Sequence, residues 1–225
     1  MSTYVVASSK KWFFSSEKTT EYRSLEIKNV STTEELRSYL AVNPRPRYIF
    51  FPHWSWKVNQ DIYDNYECIV FHTAPLPYGR GGSPIQNLII RGMKSAPVCA
   101  LRMTESLDSG PLYISSDVSL NGRLSDIFSR ISSAIEKMII EICNNHPTPK
   151  PQIGEGVSFK RLQRADNELL HTHTISEIYD RIRMCDDPEY EKAFLNFGNV
   201  TLEFSDSGIQ DEQITAKVRI KRIED

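Results

Sequence analysis

The sequence predicts an α/β protein, a mostly parallel twisted sheet with flanking helices, followed by a small C-terminal α+β extension. Three observations carry that expectation. Short runs of β-branched and aromatic residues alternate with helix-forming segments early in the chain, one later stretch repeats its apolar residues every 3.6 positions, and a proline-rich segment precedes a short tail.

The strand candidates are Tyr4 to Ala7, Leu25 to Ile27, Tyr48 to Phe51 and Cys68 to Phe71, with a further pair at Val98 to Met103 and Leu112 to Ile114. Between the second and third lies STTEELRSYL, where Ser31 or Thr32 can cap a helix and Glu34 or Glu35 occupies the capping-box position. The clearest helix starts near Leu124 and carries Ile127, Phe128, Ile131, Ala134, Ile135, Met138, Ile139 and Ile142 as one stripe. It stops at Asn144 and Asn145, before HPTPKP, whose prolines cannot continue a helix. The domain boundary is placed there, giving a unit over 1–150 and an extension over 151–225. In the extension a helix is expected over Ile175 to Met184, and two strands, Val200 to Phe204 and Ile214 to Ile220, joined by a turn-rich SDSGIQDE.

A chain of 225 residues supports one substantial domain and an appendage. With 40% hydrophobic and 25% charged residues it has an ordinary globular composition. No segment approaches the roughly 18 to 20 apolar residues of a membrane span, and the start, MSTYVVASSKKWFF, lacks a secretory pattern, so a cytoplasmic location is expected. Cys68, Cys99, Cys143 and Cys185 are widely spaced, as reduced core thiols would be. A net charge of −2 argues against broad nucleic-acid binding. His171 and His173 share a strand-like spacing but lack a carboxylate or thiolate partner for a metal, and read as surface histidines.

The chemistry concentrates in CIVFHTAPLPYGRGGSPIQNLI, residues 68 to 89. A buried strand ends at His72, passes a loop with glycines at 79, 81 and 82, and enters a helix at Pro84. Ligands bind at the carboxyl ends of strands in open α/β sheets, and the glycines let backbone approach a ligand closely. On its own, His72 is more simply read as closing a strand before a crossover connection. The second segment is MTESLDSGPLYIS, where Asp108, followed by Ser and Gly, suits either a site residue or an Asx turn.

Taken together, His72, Leu76-Pro77, Arg80-Gly81-Gly82, Pro84-Ile85-Gln86 and then Asp108-Ser109-Gly110 resemble the folate-dependent formyltransferases. That family includes the methionyl-tRNA, glycinamide ribonucleotide and amino-sugar N-formyltransferases. The resemblance covers residues 45 to 145, and more weakly RLQRADNELL and DDPEYEKAFLNFGN in the tail. It implies a Rossmann-like formyltransferase core, 10-formyltetrahydrofolate as formyl donor, and His72 and Asp108 as catalytic residues. It also implies a folate pocket built from Trp54, Ser55, Trp56, Lys57, Arg80, Gly81 and Asp108. One family position departs: Val70 stands where an asparagine is expected two residues before the histidine. An oxyanion donor is worth about 3 to 4 kcal/mol, so its loss slows transfer without abolishing it. His72 is then the main donor, with Asn87 or His53 as further candidates.

For the acceptor the expectation is a nucleotide-linked 4-amino-4,6-dideoxysugar of surface polysaccharide synthesis, narrowed to a UDP-linked sugar of a pseudaminic-acid-type pathway. Lys160, Arg161 and Arg164 would meet its pyrophosphate. The glycinamide ribonucleotide reading lacks its glycine-rich loop after the first strand. The alternatives kept are a methionyl-tRNA formyltransferase-like enzyme and a catalytically inactive folate- or nucleotide-binding module, which Val70 favours. Apolar residues around Phe194 to Phe204 suggest a contact between two copies.

Overall fold

The alternating apolar runs build one six-stranded sheet, seen in a computed structural model that describes residues 3–15 and 18–223. In chain order the first elements are β1 (Tyr4–Ala7), α1 (Lys11–Ser15), α2 (Thr20–Ser24), β2 (Ile27–Val30), α3 (Thr33–Val42) and β3 (Tyr48–Phe51). Next come α4 (Gln60–Asn65), β4 (Cys68–Thr73), β5 (Tyr78–Gly81), α5 (Pro84–Ile89), β6 (Ser95–Arg102), β7 (Leu112–Ser119) and α6 (Leu124–Asn145). The sheet order is β2-β1-β3-β4-β6-β7, parallel from β2 to β4 and antiparallel from β4 to β7.

Period-two alternation divides the strand side chains between two apolar layers. Tyr4, Val6, Phe50 and Ile69 pack with the apolar stripe of α6, including Ile127, Ile131, Ile135 and Ile139. Val5, Ala7, Ile49, Phe51 and Cys68 pack on the opposite face with Leu36 of α3 and Ile62 of α4. Helix α3 is capped by Thr32, whose hydroxyl accepts from Glu35 N at 3.1 Å, while the Glu35 carboxylate accepts from Ser31 N at 2.6 Å. All four cysteines are free and buried, and burial pushes the thiols of Cys68, Cys143 and Cys185 up to about 12 and that of Cys99 to about 11. They stay protonated and inert.

Several boundaries differ from the sequence expectation. The second strand starts at Ile27 because Leu25 closes α2, its N–H bonded to Tyr22 O. The glycine-bearing loop after β4 also holds a short strand: β5 pairs in parallel with β8 (Val157–Phe159). The proline-rich segment is pinned, with Leu112 N donating to Lys150 O at 2.7 Å and Lys150 N to Leu112 O at 2.8 Å. Residues 150–159 thereby lie back along the loop that follows β4.

The tail contributes a 3-10 turn at Arg164–Asn167, then α7 (Ile175–Arg183), β9 (Ala193–Phe197), β10 (Val200–Gln210) and β11 (Gln213–Arg222). The last three form an antiparallel sheet, one strand more than expected. SDSGIQDE is mostly strand, because a bulge between Ser205 and Gly208 absorbs the irregular residues and leaves a tight turn at Asp211 and Glu212, both at positive φ. One end of this sheet is covered by Ile178 and Ile182 of α7, while Phe197 and Ile220 remain 73% and 66% exposed. Among the described residues no helix is long and apolar enough to cross a membrane.

Arg183 fastens the tail to the sheet domain. It is 2% exposed, its Nε donates to Asp180 Oδ1 at 2.7 Å, and its Nη1 donates to the carbonyls of Leu120 and Gly122. Arg183→Ala leaves Asp180 and two carbonyls buried without a donor, so the variant should lose about 3 to 5 kcal/mol of unfolding free energy. Urea denaturation checks this, and a loss under about 1 kcal/mol would show that the cluster is not critical.

Candidate active site

Strand β4 carries the central histidine. Cys68 and Val70 point into the layer shared with α3 and α4, and alternation puts His72 on the same side at the strand's carboxyl end. The chain then turns through Leu76-Pro77, a cis peptide, and the glycines of β5. Gly79 and Gly81 have φ of 90° and 96°, and a Cβ at Gly81 would come within 2.8 Å of Phe159 O. Only glycine accommodates both the conformation and the proximity of β8.

Asp108 reaches the same point from the loop between β6 and β7. Its backbone is left-handed, with φ of 51°. Gly110 packs so tightly that a Cβ there would overlap the Arg102 carbonyl oxygen. Asp108 Oδ2 accepts from Gly81 N at 3.0 Å and lies 3.3 Å from His72 Nδ1. His72 Nε2 lies 2.7 Å from the Gly79 carbonyl oxygen, which can only accept, so Nε2 carries the hydrogen. Nδ1 faces the Asp108 carboxylate, which can only accept a hydrogen bond. The His72 side chain is only 7% exposed and that of Asp108 10%, so the pair is largely shielded from water.

A solved structure named methionyl-tRNA formyltransferase, from Clostridium thermocellum, has a TM-score of 0.90 with 33% identity, over 99% of this chain and 100% of that one. This chain belongs to the folate-dependent formyltransferase family. The family model for the methionyl-tRNA formyltransferase C-terminal domain matches residues 164–221, the tail helix and sheet. The methionyl-tRNA formyltransferase of Campylobacter lari is 31% identical over 140 residues, 61% of this chain and 46% of that protein. The matched chain thus spans less than half the length of that curated relative. HypX from Aquifex aeolicus, solved in complex with tetrahydrofolic acid, has a TM-score of 0.76 at 15% identity over 91% of this chain. A sugar N-formyltransferase from Shewanella has a TM-score of 0.66 at 12% identity over 96% of this chain. These last two share the fold.

Within this formyltransferase fold, the sequence-derived site residues fall into two groups. His72, Arg80, Gly81 and Asp108 meet in one network, in which Arg80 donates from Nε and Nη2 to Gln152 Oε1 at 3.1 and 2.7 Å. Trp54, Ser55, Trp56 and Lys57 lie on the loop after β3, the strand next to β4. There Trp54 packs edge-on against Phe51 at 5.6 Å and Trp56 at 4.9 Å, with its Nε1 buried and unpartnered among the described residues. Trp56 is 49% exposed, and Ser55 Oγ meets Ser9 Oγ at 2.8 Å. The Trp56 ring is thus the open aromatic face of this loop, while the Trp54 indole N–H is enclosed.

Neither further donor candidate is free to replace the family asparagine. Asn87 Nδ2 donates to the carbonyls of Gly82, Ser83 and Lys160 at 3.0 to 3.1 Å, holding the loop to the strand beside it. His53 turns at φ 51° into an aromatic cage of Trp12, Phe13 and Phe128, on the α6 side of the sheet. Of the three basic residues proposed for a pyrophosphate, Arg164 pairs with Glu191 and Glu203 and stacks on Phe194. Sequence reasoning missed Gln152, which no local pattern marks.

His53 also gives a stability prediction. Part of the residue is open to solvent, but Nε2 itself is buried without a partner among the described residues, and burial, helped by Lys10 and opposed by Glu189, lowers its pKa to about 4. The unfolded chain binds this proton from about pH 6.5 downward and the folded chain only near pH 4, so stability falls as pH drops through that window. The loss approaches about 3 kcal/mol at the acid end. Thermal melts between pH 7 and 4 should show it in the wild type and show less of it in His53→Phe; equal slopes would exclude His53 as the source.

Proposed function

We propose that the chain transfers a formyl group from 10-formyltetrahydrofolate to a primary amine, with His72 and Asp108 at the reacting centre. The observation that carries this reading is the single oxygen Asp108 Oδ2, set between the Gly81 amide and His72 Nδ1. The bound donor would supply the activated formyl carbon. The chain would supply Nδ1 for the amine's proton, a carboxylate to hold that proton until it passes to folate N10 as the bond from N10 to the formyl carbon breaks, and an Nε2–H that can exchange the Gly79 carbonyl for the developing oxyanion. The Trp54 to Lys57 loop would seat the pterin and Arg80 would hold the loop in place. With Val70 in place of asparagine, His72 carries the oxyanion role without that partner.

For the acceptor, the likenesses favour the amine of methionyl-tRNA over the nucleotide-linked sugar, because both the full-length structural relative and the tail model bear that name. Lys217, Arg219 and Lys221 share one face of β11; Lys217 pairs with Asp206 and Lys221 with Glu203, which leaves Arg219 as the residue of that face with no ion pair among the described residues. A cytoplasmic location goes with either acceptor.

Single-turnover transfer to methionyl-tRNA and to UDP- and dTDP-linked 4-amino-4,6-dideoxysugars tests both halves of the proposal. Wild type should formylate methionyl-tRNA, and His72→Ala and Asp108→Asn should each lose roughly 100-fold or more in rate. Transfer to a sugar instead would overturn the acceptor. Folate binding with no transfer to any amine would overturn the enzyme reading in favour of an inactive binding module.

A further inference from the structure

The carboxamide of Gln152 joins the two loops that build the site. Its Nε2 donates to Asp108 O at 2.8 Å and to Gly110 O at 2.9 Å, while its Oε1 accepts both Arg80 contacts. The orientation is fixed by chemistry: a guanidinium only donates and carbonyls only accept, so oxygen must face Arg80 and nitrogen the Asp108 loop. Only a carboxamide offers both a double acceptor and a pair of donors at that reach. The backbone on either side is anchored as well, by the Lys150–Leu112 pair and by Val157 N donating to Pro77 O at 3.1 Å.

We infer that Gln152 is a positioning residue for Asp108, acting through the loop backbone. Asp108 is left-handed, a conformation that Asp adopts more readily than most residues and that still needs contacts to hold it. Gly81 N fixes its carboxylate, and Gln152 fixes its carbonyl and that of Gly110. Because Arg80 precedes Gly81, the same carboxamide sets the height of the Gly81 amide against Oδ2. Removing it lets carboxylate and imidazole drift apart while both residues remain present. The kinetic consequence rests on the formyl-transfer reading, whereas the structural one does not.

Two readouts on the full chain separate these. Without any substrate, Gln152→Leu should speed amide exchange at Gly81 about tenfold, roughly the loss of one hydrogen bond's hold, and leave α6 unchanged. In formyl transfer it should lower kcat on the order of 100-fold with the folate KM unchanged, and add nothing in an Asp108→Asn background. Gln152→Glu keeps the acceptor for Arg80 but withdraws both donors, and should behave like the leucine variant. Unaltered exchange at Gly81, an equal kcat loss in both backgrounds, or a fully active Gln152→Glu would overturn the inference. Absence of transfer by the wild type would sink only the formyl-transfer reading, since the exchange result stands alone.

Discussion

Asp108 Oδ2 accepts the Gly81 amide at 3.0 Å and faces His72 Nδ1 at 3.3 Å, so one oxygen joins a strand end to two loops that are distant in sequence. For it to sit there, Gly81 must adopt a positive φ against Phe159 O, Gly110 must nest on Arg102 O, and Asp108 must be left-handed. Each of these is a local cost that the sheet domain imposes and stabilises. The apolar layers around β3 and β4 hold His72 still, and β8 and the 150–152 segment hold the loops against it.

Val70 shows how such a site tolerates the loss of a polar member. It points into the layer of Cys68, Ile62 and Met103, where an apolar side chain needs no hydrogen-bonding partner and an amide would. The neighbouring donors do not shift to replace the asparagine, because Asn87 is tied to three carbonyls and His53 is turned to the other face of the sheet. In the proposed mechanism the oxyanion role therefore falls to His72, and its position relative to Asp108 matters correspondingly more.

The buried strands β1, β3 and β4 and the helix α6 are legible in the sequence because period-two and 3.6-residue patterns need only local reading. The meeting of His72, Arg80, Gly81 and Asp108 is legible only through the family resemblance, since a strand end, a glycine loop and an Asp-Ser-Gly turn each have a plain structural reading on their own. Strand β5 is not legible, because YGRG has Tyr78 as its one β-forming side chain beside two glycines, and becomes a strand only when VSF arrives beside it. The short helices α1, α2 and α4 give too few turns for a period to show. Gln152 is invisible for a related reason: its four contacts are all made to residues at least 42 positions away.

A crystal structure of the chain with tetrahydrofolate tests the central claim most directly, because it locates the donor against Asp108 and His72 without presuming an acceptor. The account predicts the pterin on the Trp54 to Lys57 loop and the folate N10 within hydrogen-bonding reach of the His72–Asp108 pair, with the Gly81 amide still on Oδ2. A folate bound elsewhere, or an Asp108 turned away from His72 in its presence, would contradict it.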